Sequence, residues 1–87
     1  MPLNLTDLPN IGPELARLLT EAGIPGPEEL RAMGAQAAFL RLRDRAPNSC
    51  FHKLTALEGA VQGVRKSQLT PERKRELRAF FDSLPGE

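Results

Sequence analysis

The apolar positions of this chain recur at intervals of three and four residues in several separate stretches, the repeat of a helix with one buried face. Nowhere do apolar and polar residues alternate as they do along a strand. Ile11, Leu15, Leu18, Leu19 and Ala22 set the first stripe and predict a helix over 13–22. Gly23 then supplies a left-handed stop, with Ile24 folding back as its apolar partner. Pro27 opens a short helix whose first turn holds Glu28 and Glu29, where the helix dipole favours negative charge. Leu30 and Met33 face inward and Gly34 ends it. Residues 35–45 form a third helix with Ala35, Phe39 and Leu42 on one stripe and Arg41, Arg43 and Arg45 late in it, near the negative end of the dipole. Asn48 or Ser49 caps a long helix reaching to about residue 64, with Phe51, Leu54, Leu57, Val61 and Val64 as its apolar stripe. Thr70-Pro71-Glu72-Arg73 reads as cap, proline and first-turn acid. Leu77, Phe80, Phe81 and Leu84 form the buried face of that last helix, and Pro85 and Gly86 end it. The fold class is therefore all-α: a single domain over 1–87, built as a compact bundle of about five helices.

The corner ahead of the first helix organises the rest. Leu3, Leu5 and Leu8 suggest a short lead-in, with Thr6 or Asp7 capping a single turn. Pro9 biases Leu8 away from the helical region, Gly12 is suited to a positive φ, and Pro13 is set for the first helical position. Ile11 is expected to tuck under the helix it introduces. In the long helix, Ala56, Gly59, Ala60 and Gly63 make a strip of small residues beside the apolar stripe. Each glycine costs a helix about 1 kcal/mol relative to alanine. The expected gain is close approach by another helix.

The stretch from Leu8 to Leu19 resembles a helix-hairpin-helix motif, in which a Gly-hydrophobic-Gly core precedes a helix. Taken with Ala22-Gly23-Ile24, Glu29-Leu30-Arg31-Ala32-Met33-Gly34-Ala35 and Ala56-Leu57-Glu58-Gly59-Ala60, nearly the whole chain resembles the TfoX/Sxy C-terminal domain, in the same order. The resemblance implies an all-helical domain linked to the regulation of natural competence, the bacterial capacity for DNA transformation, and it carries over no chemistry. Larger members of the family have a further N-terminal domain. The resemblance thus implies that this chain acts alone or in trans with a separate partner. Residues 30–35 leave open a degenerate second hairpin, as in paired helix-hairpin-helix domains.

Charge narrows the function classes. Twelve basic and eleven acidic residues leave a net charge of +1, short of the strongly basic balance of a dedicated nucleic-acid binder. It is equally short of a cationic membrane-surface protein. With no Tyr or Trp and four Phe, few rings are available to stack on bases. Cys50 is the one cysteine, so no internal disulfide forms, which suits a reducing cytoplasm. No apolar run approaches the ~20 residues that cross a bilayer. The N-terminus lacks the charged and apolar regions of a secretory signal, and the expected location is cytoplasmic.

Two places invite a chemical reading. The hairpin could cradle a phosphate on backbone N–H groups. Here Asn10 replaces the motif's first glycine, Glu14 sits where it would repel an anion, and Arg17 is the one nearby cation of that helix. A structural corner is the favoured reading, with Glu14 stabilising its own helix. The second place is basic: Arg65, Lys66, Arg73, Lys74, Arg75 and Arg78 against Glu72 and Glu76 leave +4 over residues 65–78. Lys74 and Arg78 share a helix face, though a solvated surface with an Arg78–Asp82 pair is the plainer account. His52 and Cys50 supply no recognised metal set, and Cys50 reads as a small buried residue near a helix start. Glu58, among small residues, is placed either to accept a hydrogen bond from the hairpin or a neighbouring helix or simply to stand exposed. No phosphate loop, serine elbow or zinc spacing occurs, so no catalytic group, cofactor, metal or small-molecule substrate is expected. The expectation is a non-enzymatic regulatory module that binds a protein partner and no membrane. The alternative is weak, sequence-independent DNA binding through the hairpin (Asn10, Ile11, Gly12, Arg17) and a basic face (Arg65, Lys66, Lys74, Arg75, Arg78).

Overall fold

The structure is a computed structural model that describes residues 4–46 and 49–84. Five α-helices follow one another: α1 (Pro13–Glu21), α2 (Pro27–Met33), α3 (Ala35–Arg45), α4 (Phe51–Gln62) and α5 (Pro71–Ser83). A 3₁₀ turn (Leu5–Asp7) precedes α1 and another (Lys66–Gln68) precedes α5. There is no strand among the described residues.

Helix α4 is the axis of the bundle. Every residue from Leu54 to Ala60 is buried, because α2, α3, α5 and the second 3₁₀ turn pack around it. Phe39, Leu19, Ile24, Leu30, Leu42, Leu54, Leu57 and Leu77 are the largest side chains fully removed from water. Each such burial contributes about 1.5–3 kcal/mol.

Several local signals act as the sequence predicts. At the end of α1, Gly23 takes φ +89° and its N–H donates to the Thr20 carbonyl, while the N–H of buried Ile24 donates to that of Leu19 at 2.8 Å. These are the two hydrogen bonds of a left-handed helix stop. Pro27 begins α2. Thr70 caps α5, its Oγ1 accepting from the Arg73 N–H at 3.1 Å.

Other expectations are corrected. Gly12 is extended, with φ −89°, and Asn10 is the residue at positive φ, +70°. The first 3₁₀ turn starts from Asn4, whose N–H donates to the Asp7 carboxylate at 2.9 Å, so Thr6 and Asp7 are not its caps. Helix α1 ends at Glu21, with Ala22 beyond it as the cap. Cys50, exposed, is the N-cap residue of α4; the Ser49 hydroxyl donates instead to the Ala46 carbonyl. Asn48, Leu3, Pro85 and Gly86, also assigned roles above, lie outside the described residues. Helix α4 stops at Gln62 because Gly63 turns left-handed at φ +79°, which puts Val64 outside the helix with its N–H on the Gly59 carbonyl at 2.8 Å. One residue, Gly34 at φ +87°, both ends α2 and starts α3, leaving no room there for a hairpin loop.

Candidate interaction surface

The hairpin is bolted to the far end of α4. Asn10 Nδ2 donates to the Val64 carbonyl at 3.0 Å and, at longer range, to that of Ala56 at 3.5 Å, while its Oδ1 accepts the Lys66 N–H at 3.1 Å. This explains Gly59. A Cβ there would stand 2.6 Å from the Val64 carbonyl oxygen and closer still to Asn10 Nδ2. The close approach that the small residue permits is therefore by a turn and a returning backbone, not by a second helix. Ile11 is buried in the hydrophobic core. Gly12 and Glu14 are exposed, and the Arg17 guanidinium lies 2.9 Å from Glu21 in an i, i+4 pair.

A second tie joins α4 to α5. The Glu58 side chain is only 8% exposed and accepts from Arg73 Nη2 at 3.0 Å and from the Gln62 amide. Arg73 also reaches Glu76 at 2.8 Å. Burial pushes the Glu58 carboxyl up, but the hydrogen bonds from Arg73 and Gln62 and the Arg73 charge outweigh it and hold it below its ordinary 4.5. The same pairing, with help from Glu76, raises the Arg73 guanidinium.

The basic segment thus divides. Arg73 is committed to Glu58 and Glu76. Arg78 pairs with Asp82 at 3.2 Å and lies 5.1 Å from the centre of the Phe51 ring and 5.7 Å from that of Phe81. Arg65 and Lys66, at the second 3₁₀ turn, and Lys74 and Arg75, on α5, are exposed, with no side-chain ion pair among the described residues. Arg65 also borders an open groove between the hairpin and the end of α4, with Asp7, Pro9, Asn10, Val64 and Gln68 along it.

Residues 1–81 match the TfoX C-terminal domain. The chain belongs to the TfoX C-terminal domain family. Protein Sxy of Escherichia coli (strain K12) is 39% identical over 80 residues, a span of 92% of this chain but 38% of Sxy. The chain therefore covers well under half the length of that relative. Among solved structures, an uncharacterized protein from Listeria monocytogenes in a triclinic crystal superposes with a TM-score of 0.92 at 46% identity, over 93% of this chain and 92% of that one. A tetragonal crystal of a protein of unknown function from the same organism gives 0.91 at 46% identity, over 94% and 100%.

Within this TfoX C-terminal domain, the residues that carry the family resemblance include structural anchors. Glu58 and Gly59 of the Ala56–Ala60 stretch receive Arg73 and Asn10 respectively. The sequence places Glu58 as an acceptor for the hairpin or a neighbouring helix, and the donor is Arg73 of the neighbouring α5, fifteen residues away. The sequence does not show the inward turn of Asn10, for which the one available signal is asparagine's tolerance of the left-handed region. Cys50 and His52 are both exposed, and no group of metal-ligating side chains forms among the described residues. Among the described residues, no helix is long and apolar enough to cross a membrane.

Proposed function

We propose that this domain is a non-enzymatic regulatory module of the competence-regulator type that works by binding another protein. One observation carries the reading: the hairpin corner, where a phosphate would sit, directs its polar side chain inward. Asn10 holds Val64 and Lys66, while Arg17, the cation one turn into α1, pairs with Glu21. The first turn of α1 offers Glu14 to any approaching anion. The lone cysteine suits the reducing cytoplasm, where such a regulator would act.

The test is made in the native cell. Deleting the coding sequence lowers expression of the DNA-uptake genes and the frequency of transformation, and supplying the chain in trans restores both. Unchanged expression in the deletion strain overturns the reading.

A second reading, weak DNA binding without sequence preference, has the exposed cations Arg65, Lys66, Lys74 and Arg75 in its favour. It predicts a duplex affinity that falls steeply with salt. A titration with duplex DNA at low salt that shows no complex at high micromolar protein removes it.

A further inference from the structure

Helix α5 is held to the domain differently from α3 and α4. In α3, Ala38, Phe39 and Leu42 are fully removed from water, and in α4 so are Leu54, Leu57 and Ala60. In the thirteen residues of α5 only Leu77 is buried, while Arg73, Phe80 and Phe81 are half-buried. The seam beneath α5 is ionic at one end, where Arg73 meets Glu58. Further along it is aromatic, with the Phe81 ring centre 5.9 Å from that of Phe39 and 5.6 Å from that of Phe51. A buried ion pair returns to water at little net cost, because both charges regain their hydration. Apolar side chains have no such compensation. The ionic end, where the Arg73 side chain is already 31% exposed, therefore opens more readily than packing of the α3 and α4 kind.

The contacts internal to α5 travel with it. Thr70 caps the helix through the Arg73 N–H, and Arg73 with Glu76 and Arg78 with Asp82 pair along it. Caps and pairs of this kind support a helix without help from its neighbours. The connector ahead of α5 is held independently of it. The Lys66 N–H is fixed on Asn10 Oδ1 at 3.1 Å, and Leu69 is buried in the core. The chain up to Leu69 thus stays with the hairpin when α5 leaves, and Thr70 is the pivot. Elements with few buried apolar side chains open at a lower free energy than the whole domain unfolds.

We infer that α5 is a strap that opens as one body while the hairpin and the four preceding helices stay folded. Opening bares the Glu58 carboxylate of α4 and the rings of Phe39 and Phe51, so the domain has a closed surface and an open one. The motion is a property of the fold alone and stands whether the partner is a protein or a nucleic acid.

Native-state hydrogen exchange of the full chain, read amide by amide by NMR, tests the motion. After correction for intrinsic rates, the slowest amides of α5 exchange about tenfold or more faster than the slowest of α4. Ile24→Val, a mild change at a fully buried site beside the end of α1, speeds the slowest α4 amides about threefold to tenfold. It leaves those of α5 within about twofold, because residue 24 is still buried in the open form. Arg73→Met speeds the α5 amides about tenfold or more, because opening then gives an unpaired Glu58 its water. Circular dichroism of both variants establishes that they are folded. Equal protection of α5 and α4, an equal response of the two helices to Ile24→Val, or α5 exchange unchanged in Arg73→Met overturns the proposal; the first two outcomes mean that α5 unfolds only with the whole domain.

Discussion

Replacing Arg73 by methionine isolates the tie between α4 and α5. Methionine keeps most of the side-chain volume and the helix propensity but removes the cation. Glu58 is then left buried with the Gln62 amide as its remaining side-chain partner. Removing one member of a fully buried ion pair costs about 3–5 kcal/mol. Here the Glu58 side chain is 8% exposed but that of Arg73 is 31% exposed, so water can reach part of the vacated site. The exposed pair with Glu76 adds less than about 1 kcal/mol. The expected loss at neutral pH is therefore about 2–3 kcal/mol, or a fall in Tm of roughly 10–20 °C for a domain of this size.

The pH dependence supplies an internal check. The Glu58 carboxyl sits below its ordinary 4.5 in the folded protein, so its contribution is present above that value and is lost as pH falls through the folded pKa. In Arg73→Met, burial acts on the same carboxyl with much less opposition and raises it. Acidification then relieves the variant while it weakens the parent, so the gap between them narrows. Thermal unfolding by circular dichroism at several pH values from neutral to about 3 measures the gap directly. Glu58→Gln combined with Arg73→Met is less destabilised than the sum of the single changes, because the charge that Arg73 neutralised is gone. A loss under about 0.5 kcal/mol at neutral pH, or a gap that does not change with pH, refutes the account.

Three further outcomes follow from the same geometry. Asn10→Ala removes the hydrogen bonds to Val64, Ala56 and Lys66 and leaves a Cβ in the left-handed region, costing about 2–4 kcal/mol; Asn10→Gly loses the bonds alone and is about 1 kcal/mol more stable than the alanine variant. Urea unfolding checks that order, and the reverse order contradicts it. Gly59→Ala destabilises by about 1–3 kcal/mol despite alanine's better helix propensity, because its Cβ meets Asn10 and the Val64 carbonyl; calorimetry showing a gain in stability would be inconsistent with that packing. Thr70→Ala loses the α5 cap at a cost of about 1 kcal/mol and speeds hydrogen exchange at the Arg73 amide, which NMR reads residue by residue.

The helices that were legible in the sequence are those whose signals are local. Gly23 with Ile24, Pro27 after Gly26, and Thr70 before Pro71 each fix a boundary through contacts only a few residues long. Reading failed where the deciding partner is distant in the chain. Residue preference assigns the positive φ to Gly12, whereas Asn10 holds it because its side chain finds backbone partners 46 to 56 residues away. The small residues of α4 were legible as a close approach, but nothing local says that a turn rather than a helix fills the space at Gly59. The apolar stripe of α4 implied one buried face, yet the helix is enclosed through its middle because α3 and α5 and the second 3₁₀ turn all pack on it. Residue type alone makes Cys50 a buried residue, and its place as the N-cap residue leaves it exposed.

The same distinction between local and distant partners governs the candidate surface. As a string, residues 65–78 are six cations and two acids, with no indication of which are available. Folding sorts them by geometry. Arg73 is drawn into α4 by a buried acid, and Arg78 is laid over two rings beside Asp82. The first is one of the contacts that hold the basic segment's backbone, and Asn10 supplies another at Lys66. The hairpin therefore contributes to the basic segment without touching a ligand: its asparagine supports the backbone on which two of the exposed cations stand. A residue that would resemble a phosphate-site element in sequence acts here as a support for charges elsewhere, so a functional defect in Asn10→Ala would report on the position of Arg65 and Lys66 before it reported on the hairpin itself.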